Sequence, residues 1–425
     1  MYKIINKFSI IFIVSLQVIM FCLYFYNTDS KTLHPHTVNQ ISLGINMDFK
    51  NLFFNDDIYK INQSDIDYVI NNSYKFSKFL FYKFKDSKNL SNADTGMDGS
   101  DWGYAIIVKI LTIFPGPDLL KIIIFHLLIH LIICNIISNK LYRSEKNNYL
   151  YFNLFYTLNP IVIYFIAFPN YYFLQSVAGF ILLNCLLDKS NYKIRFIEIV
   201  SLCLLLIVRS TIISFILSYF IILIFRHYNF KKIISLFCLS IVIIYSLSLL
   251  LPSKNLKRIY HTMAIGVNAY NFDDSENYMR DDYIQDNINK YIKNNNIKTN
   301  CIKQRCGQND MIYLNILEKE LIKDFIKRPE IYIKNFIFNE ILLFSPGYKS
   351  NEKILIYFSL FFGLLVIIYA IYLKKYLLIL IILAAEISFT FYYPPVVAYR
   401  FGSIILLTYL CIELLNKSKF KIFSE

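Results

Sequence analysis

Apolar runs of about 15 to 20 residues recur along the chain, separated by short connectors rich in Lys and Arg. A run of that length with almost no charge is expected to cross a membrane as a helix, because backbone in lipid must satisfy its own hydrogen bonds. The pattern predicts about ten spans: Phe8–Tyr26, Leu119–Ser138, Tyr149–Phe168, Tyr171–Leu187, Phe196–Val208, Thr211–Phe225, Ile233–Leu251, Ile354–Leu373, Tyr376–Phe391 and Phe401–Leu415. The first is expected to be a retained helix rather than a cleaved signal. It is long for an h-region, and no small-residue cleavage site follows it. Two hydrophilic stretches interrupt the series, Asn27 to Gly103 and Pro252 to Lys353. Two amphipathic segments, Tyr104–Phe114 and Ile331–Phe344, are expected at the interface. The expected fold is an all-α polytopic membrane protein with two large non-cytoplasmic loops carrying short interfacial helices. It divides into an amino-terminal bundle, 1–251, containing the first loop at 27–103, then the second loop, 252–353, and the carboxy-terminal helices, 354–425.

Sidedness follows from the connectors. An amino terminus inside the cell places the connectors after the second, fourth, sixth, eighth and tenth spans in the cytoplasm. Each carries at least two Lys or Arg, for example Lys140 and Arg143, Arg226 and Lys231, or Lys374 and Lys375, as the positive-inside rule requires. Both long loops, the Arg209 turn and the Pro394-Pro395 turn then share the far side. One missed span would break this agreement. The expectation is a multi-pass membrane protein with both termini cytoplasmic.

Composition agrees. Hydrophobic residues make up 56% and charged residues 17%, with a mean hydropathy of +0.44; a soluble domain carries about a quarter charged residues. The net charge of +14 would suggest nucleic acid in a soluble chain. Here most of it sits where topology wants it, which argues against a nucleic-acid partner. The 35 Tyr and 38 Phe, together with abundant Ile, Asn and Lys, suggest an AT-rich coding bias, so a single Tyr, Asn or Lys carries little information. Of eight cysteines, six lie in apolar runs and are expected to be inert. Cys301 and Cys306 lie in the second loop. They read as a disulfide if that loop is outside the cytoplasm, or as a metal pair, although no His or further Cys is near in sequence.

Polar residues able to do chemistry gather on the far side. The first loop carries Asp65 and Asp67, then the Asp-rich stretch that ends at Asp101 and Trp102. Each carboxylate reads either as a general base or as a turn-forming Asp bonded to its own backbone. Arg400 and Arg209 sit at the outer interface, either as phosphate ligands or as snorkelling side chains. His261 reads as a phosphate or acceptor ligand, or as an ordinary surface His. Glu386 lies within a span and could pair with Arg209 or Arg400.

Five pieces resemble the C-type glycosyltransferase superfamily, in particular its protein O-mannosyltransferase-like and lipid A aminoarabinose transferase-like bacterial members. These are Asp65-Ile66-Asp67-Tyr68-Val69 after the first span, Trp102-Gly103-Tyr104 entering a short helix, and Asn159-Pro160 in the third span. The fourth is Tyr260 to Gly266 with Asp281-Asp282-Tyr283 and Lys327-Arg328-Pro329-Glu330. The fifth is Ala398-Tyr399-Arg400-Phe401, with Phe401 where the family has Tyr. The family's frequent Asp-Glu pair is absent, and Asp65 and Asp67 compete for the place of the acid with Asp101 a third contender; Asp65 is the first choice for the base, with Asp67 and Asp101 next. The resemblance implies inverting transfer of a sugar from a polyprenyl-phosphate donor to a lipid or glycan acceptor at the periplasmic face, among membrane lipids. It implies Arg400, Arg209 and His261 at the donor phosphate. No definite cofactor follows, and a divalent metal is compatible. An envelope-polysaccharide polymerase or ligase, and a lipid or polysaccharide transporter, are the alternatives. A transporter would want charge at mid-membrane, where Glu386 is the clear candidate.

Overall fold

The computed structural model describes residues 2–27, 44, 103–115, 118–188, 192–250, 259–272, 281–298, 311–349 and 352–417. Every regular element among them is helical. The chain divides into two compact units, Met1–Ser253 with Phe401–Glu425, and Lys254–Arg400.

The first unit contains α1 (Tyr2–Asn27), α2 (Gly103–Thr112), α3 (Asp118–Ser144) and α4 (Lys146–Phe152). These are followed by α5 (Pro160–Ala167), α6 (Gln175–Leu187), α7 (Tyr192–Val208), α8 (Ile213–Phe225) and α9 (Phe230–Leu250). The last helix among the described residues, α16 (Ile404–Lys417), also belongs to it. The single span expected over Tyr149–Phe168 is broken. A π turn, Asn153–Thr157, follows α4, and the chain bends by 50° before α5. Pro160 is the physical reason: it has no N–H to donate, and its ring crowds the preceding turn. Asn159 restarts the helix by accepting a hydrogen bond from the Ile161 N–H at 2.9 Å. Asn170 does the same for the 3-10 turn Tyr171–Leu174, accepting from the Tyr172 N–H at 2.9 Å.

Sharp reversals keep the connectors short. After α8, His227 takes a left-handed backbone with φ 51°, and the N–H of Tyr228 reaches back to the Leu223 carbonyl at 3.0 Å, a Schellman closure made without glycine. Close packing relies on small residues. A Cβ on Gly179 of α6 would lie 1.8 Å from the Gly402 carbonyl oxygen, so two backbones meet there as membrane helices do.

The second unit contains α10 (Ile259–Val267), α11 (Asp281–Asn294), α12 (Met311–Lys327), α13 (Pro329–Leu342), α14 (Lys353–Tyr372) and α15 (Tyr376–Thr390). Ile284, Ile288 and Ile292 recur every four residues on α11 and share a core with Tyr313, Leu317 and Leu321 of α12.

Among the described residues, three helices are long and apolar enough to cross a membrane, over Leu120–Ser144, Phe230–Ser248 and Lys353–Tyr372; the bent pair makes four if counted as one span. Six more apolar helices run 10–17 residues. On α14, Ile354, Phe358 and Phe361 are exposed. Such a surface is costly in water and ordinary in lipid. These are the features of a helical membrane protein.

Candidate functional site

Arg209 follows the last residue of α7 and is buried. Its Nη1 donates to the Tyr171 hydroxyl at 2.9 Å, and its guanidinium lies over the rings of Tyr171 and Tyr172, 5.1 and 4.8 Å from their centroids. The tyrosines stand there because Asn170 starts their 3-10 turn. Tyr104 of α2 meets Tyr171 edge-on at 6.5 Å, and its hydroxyl lies 3.2 Å from Nε2 of His126 on α3. His126 in turn stacks on Phe173 at 4.4 Å. Gln175, also buried, has no hydrogen-bond partner for its side-chain oxygen or nitrogen among the described residues. A cation, an imidazole and phenols are therefore linked in one aromatic-walled cluster. Gly103 opens α2 directly against α7: a Cβ there would lie 2.6 Å from the Ile207 carbonyl carbon. The chain arriving from the first hydrophilic stretch thus enters the unit beside Arg209.

Further along the same helices lies a second polar cluster. Arg195 Nη1 donates to Glu198 Oε2 at 2.6 Å, with both side chains buried. Glu198 also accepts from the Tyr219 hydroxyl at 2.8 Å and from the Asn184 amide at 2.6 Å. Lys140 bonds Asn184 at 2.6 Å and Asp188 at 2.7 Å, and Arg226 donates to the carbonyls of Cys185 and Asp188 at 2.9 and 2.8 Å. This network ties α3, α6, α7 and α8 together. Lys140 and Arg226, which the sequence reading used only as sidedness markers, are here internal cross-links.

In the second unit Arg400 is buried and grips the end of α13. Its Nη1 donates to the carbonyls of Leu342, Leu343 and Ser345 at 3.2, 3.2 and 2.7 Å, and its Nη2 donates to the Pro346 carbonyl. These are helix-terminal oxygens that lack partners within the helix and carry partial negative charge. Gly347 has φ +111°, and a Cβ there would sit 2.9 Å from Arg400 Nη2, so the turn needs glycine on both counts. Burial lowers the Arg400 pKa to about 10, opposed by the charge of Glu386, which is itself buried in α15. The guanidinium stays cationic at neutral pH.

A hydrogen-bonded ladder crosses this unit. The Tyr270 hydroxyl donates to Asn339 at 2.6 Å, the Asn339 amide to the Thr390 carbonyl at 2.7 Å, and the Thr390 hydroxyl to Glu340 Oε1. Burial pushes the Glu340 carboxyl up to about 7. His261, expected at the surface, is buried in α10 with Nδ1 2.7 Å from the Tyr313 hydroxyl.

Of the residues singled out by sequence, Arg209 falls in one unit and Arg400 and His261 in the other, each with its own partners. Asp65, Asp67, Asp101, Cys301 and Cys306 lie outside the described residues. Sequence reasoning used Tyr104 only as part of the Trp102-Gly103-Tyr104 resemblance and passed over His126, Tyr171 and Gln175. The available signal was His126, an ionisable residue inside an apolar span. Among the described residues, no three His, Cys, Asp or Glu side chains are grouped to hold a metal. No model of a known protein family, no curated protein and no solved structure matches the chain.

Proposed function

We propose that the chain is a ten-span glycosyltransferase of the bacterial inner membrane, with both termini cytoplasmic. It moves a sugar, with inversion, from a polyprenyl-phosphate donor to a lipid or glycan acceptor at the periplasmic face. The resemblance to C-type glycosyltransferases motivates the reading. The observation that carries it is the buried Arg209 in its aromatic cradle, where the chain from the first hydrophilic stretch enters the helical unit.

In one displacement the acceptor hydroxyl oxygen bonds to the sugar C1 as the C1–O bond to phosphate breaks. The hydroxyl proton passes to one carboxylate, and the negative charge left on phosphate needs a fixed cation. Inversion needs only one carboxylate, whereas retention would need a second as nucleophile. Arg209 fits the cation better than Arg400 does, because Arg400 is set among carbonyl oxygens that already carry partial negative charge, whereas Arg209 is packed against two ring faces. Of the three loop carboxylates, Asp101 is separated from Gly103 by a single residue, the shortest tether to Arg209. It replaces Asp65, the first choice from sequence, as our choice for the base, ahead also of Asp67.

The test offers labelled polyprenyl-phosphate sugars to the purified protein. Transfer by the wild type and a loss of at least about 100-fold in kcat for Asp101→Asn are expected. An inactive wild type across the donor panel, or equal activity in Asp65→Asn, Asp67→Asn and Asp101→Asn, rejects the reading.

One observation favours a second reading, a lipid or polysaccharide transporter: Glu386 is buried in α15 within the field of Arg400. Flux into proteoliposomes that needs Glu386 and survives loss of all three loop carboxylates would support it.

A further inference from the structure

At the corner where α12 passes into α13, Ile322, Phe325 and Ile326 form one stripe along α12, and all three are exposed, Ile326 by 73%. Another face of the same helix holds Tyr313, Leu314, Leu317 and Leu321 in the core shared with α10 and α11. The stripe is therefore a second apolar face on a helix whose core contacts are already made. Lys319 and Lys323 stand three residues before Ile322 and Ile326 and border the stripe; both are exposed. The corner itself is locked, because Asp324 accepts from Arg328 Nε at 2.9 Å and from the Tyr332 hydroxyl at 3.1 Å.

Contacts along α13 set the height of this corner. Asn335 donates to the carbonyls of Gly266 and Val267 at 3.3 and 3.0 Å, and a Cβ on Gly266 would lie 1.9 Å from the Tyr392 carbonyl oxygen, just past the end of α15. One turn on, Asn339 donates to the carbonyl of Thr390, the last residue of α15. The Ile341 carbonyl oxygen would lie 2.3 Å from a Cβ on Gly363, inside α14. α13 therefore descends beside α14 and α15, and its first turn lies with the end of α12 at the rim of those apolar helices. From Asn335 back to Pro329 is about 9 Å of helix, comparable with the 5–10 Å or so that interfacial helices sink into a bilayer. The apolar surface continues from one helix to the next. Phe325 meets Tyr332 at 5.1 Å, Phe336 lies one turn after Tyr332, and Phe336 meets Phe391 at 5.8 Å. Phe391 and Ile387 are exposed at the end of α15, as are Ile333 and Ile337 along α13.

We infer that the end of α12 docks on the phospholipid surface, with Ile322, Phe325 and Ile326 among the outermost acyl groups and Lys319 and Lys323 at the headgroup phosphates. A lysine can lay its stem along such a stripe while its ammonium stays in the headgroup layer. Lys323 lies 4.0 Å from Glu320, an exposed pair too weak to withhold it from a phosphate. A second copy of the chain suits this surface less well. A stable protein interface uses about 20–30 residues a side, and the stripe is narrow and bordered by like charges. α12 belongs to the stretch that reads as hydrophilic in sequence, so the dock holds part of that stretch against lipid rather than in open water. It lies wholly in the second unit and uses none of the residues proposed for sugar transfer.

The test places the full chain in nanodiscs of phosphatidylglycerol whose acyl chains carry bromine, a short-range quencher of tryptophan fluorescence. Trp102, the single tryptophan of the chain, is first changed by Trp102→Phe. Either Ile326→Trp or Asn287→Trp is then added, the latter at an exposed position of α11. Relative to unbrominated lipid, emission from Ile326→Trp should fall by about half or more, and that from Asn287→Trp by less than about a tenth. Adding Ile322→Asp to Ile326→Trp should reverse most of the quenching, whereas Ile322→Leu should leave it. Ile322 and Ile326 are both exposed, so these changes leave the core intact. Three results would each overturn the inference: no quenching in Ile326→Trp, whether its emission is water-like or that of a dry contact with a second copy; equal quenching at both positions; or quenching unmoved by Ile322→Asp. Transfer activity is not read in this assay, so its outcome is separate from that of the proposed reaction.

Discussion

Arg209 and Arg400 are both buried arginines at helix ends, yet their surroundings differ in kind. Arg400 faces carbonyl oxygens of residues 342–346, and each contact consumes a donor and fixes the direction of the guanidinium. Arg209 lies against the faces of Tyr171 and Tyr172. A ring face attracts the cation electrostatically, and Nη1 also donates to the Tyr171 hydroxyl. Carbonyls make an arginine part of the architecture; ring faces hold a charge in place without neutralising it. A third case, Arg195, is neutralised by Glu198 and serves as a cross-link. Burial alone therefore says little about role, and the chemistry of the partner says much.

Removing partners sharpens the comparison. Glu198→Ala should have the largest effect, a loss of about 3–5 kcal/mol, because it strands a buried guanidinium; thermal unfolding in detergent micelles measures it. Arg400→Ala should cost about 3 kcal/mol by leaving several buried carbonyls unsatisfied. Arg209→Lys should cost less than about 1 kcal/mol in the same assay while lowering transfer about 100-fold. If Arg209→Lys unfolds the protein as readily as Arg400→Ala does, the distinction between the two arginines fails.

Glu340 gives a pH-dependent version. Its carboxyl is raised by burial from 4.5 to about 7, so the folded protein holds a proton that the unfolded chain has released. Stability from this group is full below about pH 4.5, declines as pH rises to about 7, and is flat above. Glu340→Gln should abolish that decline and gain about 2 kcal/mol at pH 8, after allowance for partial exposure. Unfolding midpoints from pH 4 to 8 on the order of one unit apart would trace it. The smallest effect is expected at His227, whose left-handed backbone glycine adopts without strain; His227→Gly should gain about 0.5–1 kcal/mol in thermal unfolding.

Much of the helical layout was legible, because apolar runs bounded by Lys and Arg are a property of local sequence. The break at Asn159-Pro160 was visible as a motif but not as a bend, since a proline in a long apolar run can also sit within a kinked span. The Arg195–Glu198 link was hidden by a reading that already had a use for connector charges. The setting of Arg400 depends on Ser345 and Pro346, more than fifty residues away in the chain, and no local pattern announces it. The cradle of Arg209 was obscured by the abundance of Tyr, which made Tyr171 and Tyr172 unremarkable until the fold set them beside a cation.

The most direct test is equilibrium binding of polyprenyl phosphate to the reconstituted wild type, to Arg209→Lys and to an Arg400→Lys variant of matched helicity. The account expects affinity to fall about tenfold or more for Arg209→Lys, where a bidentate phosphate contact is lost, and to stay within about twofold for Arg400→Lys. Unchanged affinity in Arg209→Lys, or a larger loss in Arg400→Lys, would contradict it.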